Sequence, residues 1–243
     1  NLAGHDHLVR ALEIDPDFAL AHAYLALAEI ILADYGAASQ SVLDRAVNRL
    51  KRALALAPEE ARCCRIMALA QLYRREYDAA ESHLVRALDL NPYDADTLAQ
   101  MGFLTAMRGR PVEAVGWLER AIALNPFRPA WYDSDLAFPL YDLGRYDKTL
   151  EALAKVPDHG PFEEARRAAT YALMGNKARA AHHIGNVMTS YSGDDLFAHL
   201  RLSAEYEHEK DIEHFLDGVR AAFDAYRVAS HSPSSTSARS SDE

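Results

Sequence analysis

The sequence predicts an all-α protein, a solenoid of helical hairpins with a capping helix at its C-terminal end, and three observations carry that reading. First, one pattern is written three times at an interval of 34 residues: Ala46, Leu50, Ala53 and Pro58, then Ala80, Leu84, Ala87 and Pro92, then Ala114, Leu118, Ala121 and Pro126. Periods of about 20–50 residues denote stacked copies of one supersecondary unit. Second, apolar residues make up 49% of the chain and are rich in Ala and Leu, both strong helix formers. Third, proline and glycine fall mostly where helices have to stop, because proline cannot continue a helix interior.

The elements follow in order. Residues 2–12, LAGHDHLVRAL, read as the second helix of a partial repeat spanning 2–16 whose first helix is missing. The chain starts with Asn1 rather than Met and enters this partial repeat at once, so it is expected to be a piece of a longer polypeptide. From Pro16 to Pro58 is 42 residues, eight more than the period, and the excess belongs around ADYGAASQS as a longer first helix or a longer turn. From Ala19 to Ala33 apolar residues are nearly continuous, as in a helix buried on more than one side. Residues 41–56 are amphipathic, with Val42, Ala46, Val47, Leu50, Ala53 and Leu54 on one stripe. In APEEAR, Glu59 and Glu60 suit a first helical turn. In NPYDAD and NPFRPA, Asn91 and Asn125 suit a left-handed helix ending, and Asp94 suits a cap.

The stretch FRPAWYDSDLAFPLY is the most aromatic in the chain, and Pro139 is expected to interrupt and kink its helix. These signals place hairpins at about 19–58, 60–92, 94–126, 129–157 and 161–191. Helical stretches at about 195–208 and 211–228 form the cap, 195–228, and complete an array over 1–228. Solenoids need such a terminal cap. The Ser-rich tail, 229–243, lacks large apolar residues and is expected to be disordered.

Composition excludes several function classes. The net charge is −10, from 26 basic and 36 acidic residues, against the basic face that a nucleic-acid binder needs. The densest positive patch, Arg45, Arg49, Lys51 and Arg52, reads as a solvated helix face. Cys63 and Cys64 are adjacent and read as buried small hydrophobes rather than a disulfide or zinc pair, which favours a reducing, cytoplasmic setting. No apolar run is long enough to insert in a membrane. The histidines His182, His183, His199, His208 and His214 lack metal-ligand spacing, so no metal or cofactor is expected. No phosphate loop, serine elbow or zinc-protease helix is present, and no catalytic residue is assigned.

The 34-residue period with Ala, Leu, Ala and Pro at these offsets resembles the tetratricopeptide repeat, over nearly all of residues 4–191. That resemblance implies a right-handed solenoid whose first helices line a concave groove. A closer likeness rests on Pro129, Trp131, Tyr132, Leu140, Tyr141, Gly144, Arg145 and Tyr146, and on Phe215, Leu216, Gly218, Val219 and Arg220. These resemble the repeat region that follows bacterial class III adenylate or guanylate cyclase domains, or winged-helix domains, and imply a regulatory region of a larger bacterial signalling protein.

In tetratricopeptide proteins the second, fifth, ninth and twelfth positions of each first helix face the ligand. Carried onto this chain, the resemblance implies Leu20, Ala23, Leu27 and Ile30, then Arg62, Arg65, Leu69 and Leu72. The next hairpins contribute Asp96, Ala99, Phe103 and Ala106, then Trp131, Ser134, Phe138 and Tyr141. The candidate partner-binding residues are Arg62, Arg65, Phe103, Trp131, Phe138 and Tyr141, of the types enriched at interface hot spots. The Lys and Asn that clamp a peptide carboxylate in some relatives are absent from these positions. The expected partner is a protein or peptide segment. Self-association into a homodimer is the alternative, and a third reading places an active site near Asp133 and Asp135.

Overall fold

A computed structural model describes residues 2–157 and 160–231. It is all-helical over those residues. The helices are α1 (Leu2–Ile14), α2 (Ala19–Leu32), α3 (Gln40–Leu56), α4 (Ala61–Tyr73), α5 (Tyr77–Leu90), α6 (Ala95–Met107) and α7 (Pro111–Leu124). They continue as α8 (Trp131–Asp142), α9 (Tyr146–Leu153), α10 (Pro161–Leu173), α11 (Lys177–Val187), α12 (Gly193–Ser203) and α13 (Glu209–His231). Each of α2/α3, α4/α5, α6/α7, α8/α9 and α10/α11 is a hairpin, and α2, α4, α6 and α8 lie side by side.

The small residues at the 34-residue spacing are what bring the helices together. Ala46, Ala80 and Ala114 are wholly buried, as are Ala53, Ala87 and Ala121, with Leu50, Leu84 and Leu118 between them. The approach is closest between α6 and α7. A Cβ on Gly102 would lie 2.6 Å from Leu118 Cγ and 3.1 Å from the Ala114 carbonyl oxygen.

Left-handed backbone occurs inside the hairpins rather than at the asparagines. Asn91 and Asn125 are not left-handed, at φ −146° and −126°. Positive φ values follow the first helices, at Asp34 and Tyr35 after α2 and at Arg75, Gly109, Gly144 and Gly175 after α4, α6, α8 and α10. There the amides of Glu76, Arg110, Arg145 and Asn176 donate to the carbonyls five residues back, at 2.8–3.1 Å, the bond of a Schellman ending. Asn91 instead accepts from the Tyr93 amide at 3.3 Å, and Asp94 does cap α6, accepting from the Thr97 amide at 3.1 Å.

The extra residues of the first hairpin form a long connection between α2 and α3, containing a 3-10 turn at Tyr35–Ala37, and α3 is extended to 17 residues. Helix α8 runs unbroken through Pro139, so the expected interruption is absent. The cost is local: proline offers no amide to the Asp135 carbonyl four residues earlier. The basic residues on α3 are partly held by acids, Arg49 by Glu29 at 3.0 Å and Arg52 by Asp17 at 3.1 Å. Cys63 and Cys64 are buried and unpaired.

The C-terminal part does more than end the stack. Helix α13 lies against α10 and α11 and touches α8, while α12 reaches back to the 3-10 turn of the first hairpin. After α12 the chain crosses the array as a strap. Arg75 donates to the carbonyls of Leu202 and Ala204, at 3.3 and 2.9 Å, and the Tyr77 hydroxyl to those of Glu205 and Tyr206, both at 3.1 Å. The Glu207 amide donates to the Met107 carbonyl at 2.8 Å, and Arg108 Nε to the Glu207 carboxylate at 2.9 Å. Residues 229–231 of the expected disordered tail are the last turn of α13, and 232–243 lie outside the described residues. No helix among the described residues is long and apolar enough to cross a membrane.

Candidate functional site

The inner faces of α2, α4, α6, α8 and α10 converge on a cavity of about 650 Å³. The other wall is the C-terminal segment, through Tyr191, His199, Ser203 and Glu205. The lining has two characters. Eight of its side chains are aromatic, and five are carboxylic acids: Asp34, Asp96, Asp135, Glu163 and Glu205.

Of the residues singled out in the sequence, Arg65, Phe103, Trp131 and Phe138 line this cavity. Phe103 and Phe138 meet edge to face, with ring centroids 5.4 Å apart at 82°. Arg65 is 5% exposed and lies 3.9 Å from Asp94 and 3.7 Å from Asp96. Arg62 is elsewhere. It folds onto the helix-capping Glu60, its Nε donating to Oε1 at 2.8 Å and Nη2 to Oε2 at 2.9 Å.

Tyr141 is not in the groove. Its equivalents Ile30, Leu72 and Ala106 are buried too, because the twelfth position points into the packing between helices. Tyr141 is covered by α13: its ring lies 6.0 Å from Phe215 and its hydroxyl donates to the His214 carbonyl at 3.5 Å. Gly218 makes that possible, since a Cβ there would come within 2.2 Å of the Tyr141 hydroxyl.

Of the five acids, the repeat register gave Asp96 and missed the other four. Asp135 follows a predicted groove residue, Ser134, by one position, while Glu163 and Glu205 lie where the 34-residue spacing has lapsed. Asp133 and Asp135 part company. Asp133 is buried and takes both arms of Arg128 at 2.9 Å, with Lys155 at 3.6 Å. The Asp135 side chain faces the cavity with burial raising its pKa well above the carboxylate range, and Glu205 and Glu163 adding to the rise. Burial likewise pushes Glu205 up to about 7, against the pull of Arg75 and Arg166. Ser134 donates to Glu163 at 2.9 Å. Ser203 is 7% exposed and its hydroxyl is without a hydrogen-bond partner.

Behind the cavity, the fully buried Arg166 guanidinium sits 3.8 Å from the centre of the Phe138 ring and 4.5 Å from that of Phe215. It also offsets the burial of Asp142, whose pKa is pushed up to about 7.

No protein-family model and no curated protein sequence matches the chain. Solved structures do match it. PilW, a type IV pilus biogenesis factor, superposes with a TM-score of 0.61 at 17% identity, covering 87% of this chain and 97% of that one. PilF of Pseudomonas aeruginosa gives 0.56 at 20% identity, over 80% and 86%. A tetratricopeptide repeat protein from Parabacteroides merdae gives 0.55 at 18%, over 93% and 91%. At these identities the likeness is one of fold, and the fold is the tetratricopeptide-repeat solenoid.

Proposed function

We propose that this chain is a non-catalytic interaction scaffold that seats a segment of a partner protein against the inner faces of its first helices. The observation that carries the reading is the convergence of Arg65, Phe103, Trp131 and Phe138, from three hairpins, on one cavity. Aromatic and arginine side chains gathered in a concavity are what anchors interfaces. A helix with side chains is about 10–12 Å across. With the strap bounding one wall, the space suits a side chain or short extended segment better. PilW, with the same architecture, serves pilus biogenesis, and a scaffold role of that general kind accords with this reading.

The likeness of 129–146 and of Phe215–Arg220 to repeat regions behind cyclase or winged-helix domains supports placing the scaffold in a larger bacterial signalling protein. The buried, unpaired Cys63 and Cys64 accord with the cytoplasm as its compartment. The test is a peptide array probed with the intact chain and with variants of confirmed fold at two aromatic residues that line the cavity, Trp131→Ala and Tyr24→Ala. Bound peptides should lose at least about tenfold in affinity in both variants. Peptides that bind both variants as tightly as the parent overturn the reading.

Self-association is a second reading with its own support. Tyr93 and Phe127, equivalent positions 34 apart, are 72% and 96% exposed, and Leu56, Leu90 and Leu124 form another exposed set at that spacing. Equivalent positions form rows in a solenoid. Light scattering across a concentration series should then show a dimer that Phe127→Lys weakens; a monomer at every concentration excludes it.

A further inference from the structure

We propose that the cavity binds an organic cation, an alkylammonium or guanidinium group, carried either by a Lys or Arg side chain of the partner or by a free amine. This rests on the cavity being the ligand seat, as proposed above, and names the chemistry of what sits there. The volume of about 650 Å³ is that of a small-ligand site.

Its charge selects the ligand. Five carboxylic acids line the space against Arg65 and His199. Arg65 already faces Asp94 and Asp96, at 3.9 and 3.7 Å. Arg75, which bears on Glu205, is committed to the strap carbonyls, and Arg166 is held on the Phe138 and Phe215 rings. No cation of the described residues forms an ion pair with Asp135; the charges that act on it are those of the acids Glu205 and Glu163, which add to the effect of burial. An anion would meet like charge here. A wholly apolar guest would leave Asp135 without a partner, which buried polar groups do not tolerate cheaply.

The walls suit the same guest. Tyr24, Tyr35, Tyr73, Trp131, Phe162 and Tyr191 line the cavity, and aromatic faces attract cations. The molecule already holds one guanidinium that way, at Arg166. Independently of the acids, Ser203 is 7% exposed and lines the cavity with an unpartnered hydroxyl oxygen, able to accept an N–H. A bound cation would favour the ionised form of Asp135 and Glu205 and so release protons.

The test is calorimetry on the intact chain at pH 8 with n-butylguanidinium, n-butylammonium and the neutral isostere N-butylurea. A second arm uses an acetylated, amidated Ala-Ala-Arg-Ala-Ala peptide and its citrulline counterpart. The two cations should bind at least tenfold more tightly than the urea, with proton release detectable by changing the buffer. Asp135→Asn should weaken the cations at least tenfold, Ser203→Ala should weaken them less, and the exposed Asp194→Asn should leave them unchanged. Equal binding of the urea, no binding of either cation, or indifference to Asp135→Asn overturns the proposal. Equal binding of the arginine and citrulline peptides overturns the cation preference and leaves the peptide reading standing. Binding of the free cations with neither peptide does the reverse.

Discussion

Glu205 sits on the strap at the edge of the cavity, where burial lifts its carboxyl from 4.5 to about 7. A raised pKa means the folded state holds the proton more tightly than the unfolded one. The contribution is therefore fully present below pH 4.5 and is lost as pH rises through 7. Asp142 behaves alike between 3.8 and about 7, and Asp135 adds to it in the same direction. Glu60, Glu164 and Glu213 are lowered instead, so their contributions vanish only as pH falls below the ordinary carboxylate range. Between pH 5 and 8 the melting temperature should thus decline. Glu205→Gln should raise stability by on the order of 1–3 kcal/mol at pH 8 and by much less at pH 5, since one pKa unit is worth about 1.4 kcal/mol. Urea titrations at the two pH values measure this directly; an equal gain at both would mean that ionisation of Glu205 is not the cause. Gly218 makes a steric counterpart. Alanine there improves helix propensity by about 1 kcal/mol. Its Cβ, however, would meet the Tyr141 hydroxyl at 2.2 Å and Ala169 Cβ at 2.9 Å. Gly218→Ala should therefore destabilise the protein by about 1–3 kcal/mol, seen as a lower thermal midpoint.

The hairpins were the most legible part of the chain, because their packing demands the same small residues at the same offsets. Ala114→Leu puts a larger side chain where α6 and α7 nearly touch and should cost on the order of 1–3 kcal/mol. An unchanged urea midpoint would contradict that packing. What local spacing does not encode is which face a later helix covers. Tyr141 matches a groove position in register, yet α13, some seventy residues on, buries it. Asp135, Glu163 and Glu205 come together only because the C-terminal segment returns across the array, and no 34-residue period reports on such a return. The asparagines before Pro92 and Pro126 misled for a local reason. The Asn91 side chain belongs to a turn in the link between repeats, and neither asparagine is left-handed, whereas the left-handed residue sits within each hairpin. There Arg75 stands where the next three hairpins have glycine, and Asp34 and Tyr35 of the first hairpin are likewise not glycine. A non-glycine residue in that conformation costs roughly 1–2 kcal/mol. At Arg75 the guanidinium contacts with Leu202 and Ala204 give a reason for tolerating it. Arg75→Gly should relieve the backbone while loosening the strap, so amide exchange should quicken at 203–207 with little change in the thermal midpoint.

At the scale of the whole molecule, that strap changes how the solenoid should unfold. An open array is coupled only between neighbours, so its ends fray independently. Here α12 meets the turn of the first hairpin, and the 202–207 segment is bonded to Arg75, Tyr77, Met107 and Arg108. The C-terminal segment is thereby linked directly to the first three hairpins as well as to its neighbours in the array. Each hydrogen bond of this kind contributes about 1 kcal/mol, and more where the donor is charged. The double variant Arg75→Gly, Tyr77→Phe removes the side-chain donors to four strap carbonyls while keeping the hairpin backbone. Native-state hydrogen exchange should show α2–α3 and α12 opening together in the parent. In the variant, α12 and the strap should open with a free energy lower by roughly 2–4 kcal/mol, while α4–α7 keep their protection. A uniform loss across every helix would mean that the strap supports global stability rather than closure. No loss at all would mean that α12 is held by its packing alone, and that the cavity wall it provides does not depend on Arg75 and Tyr77.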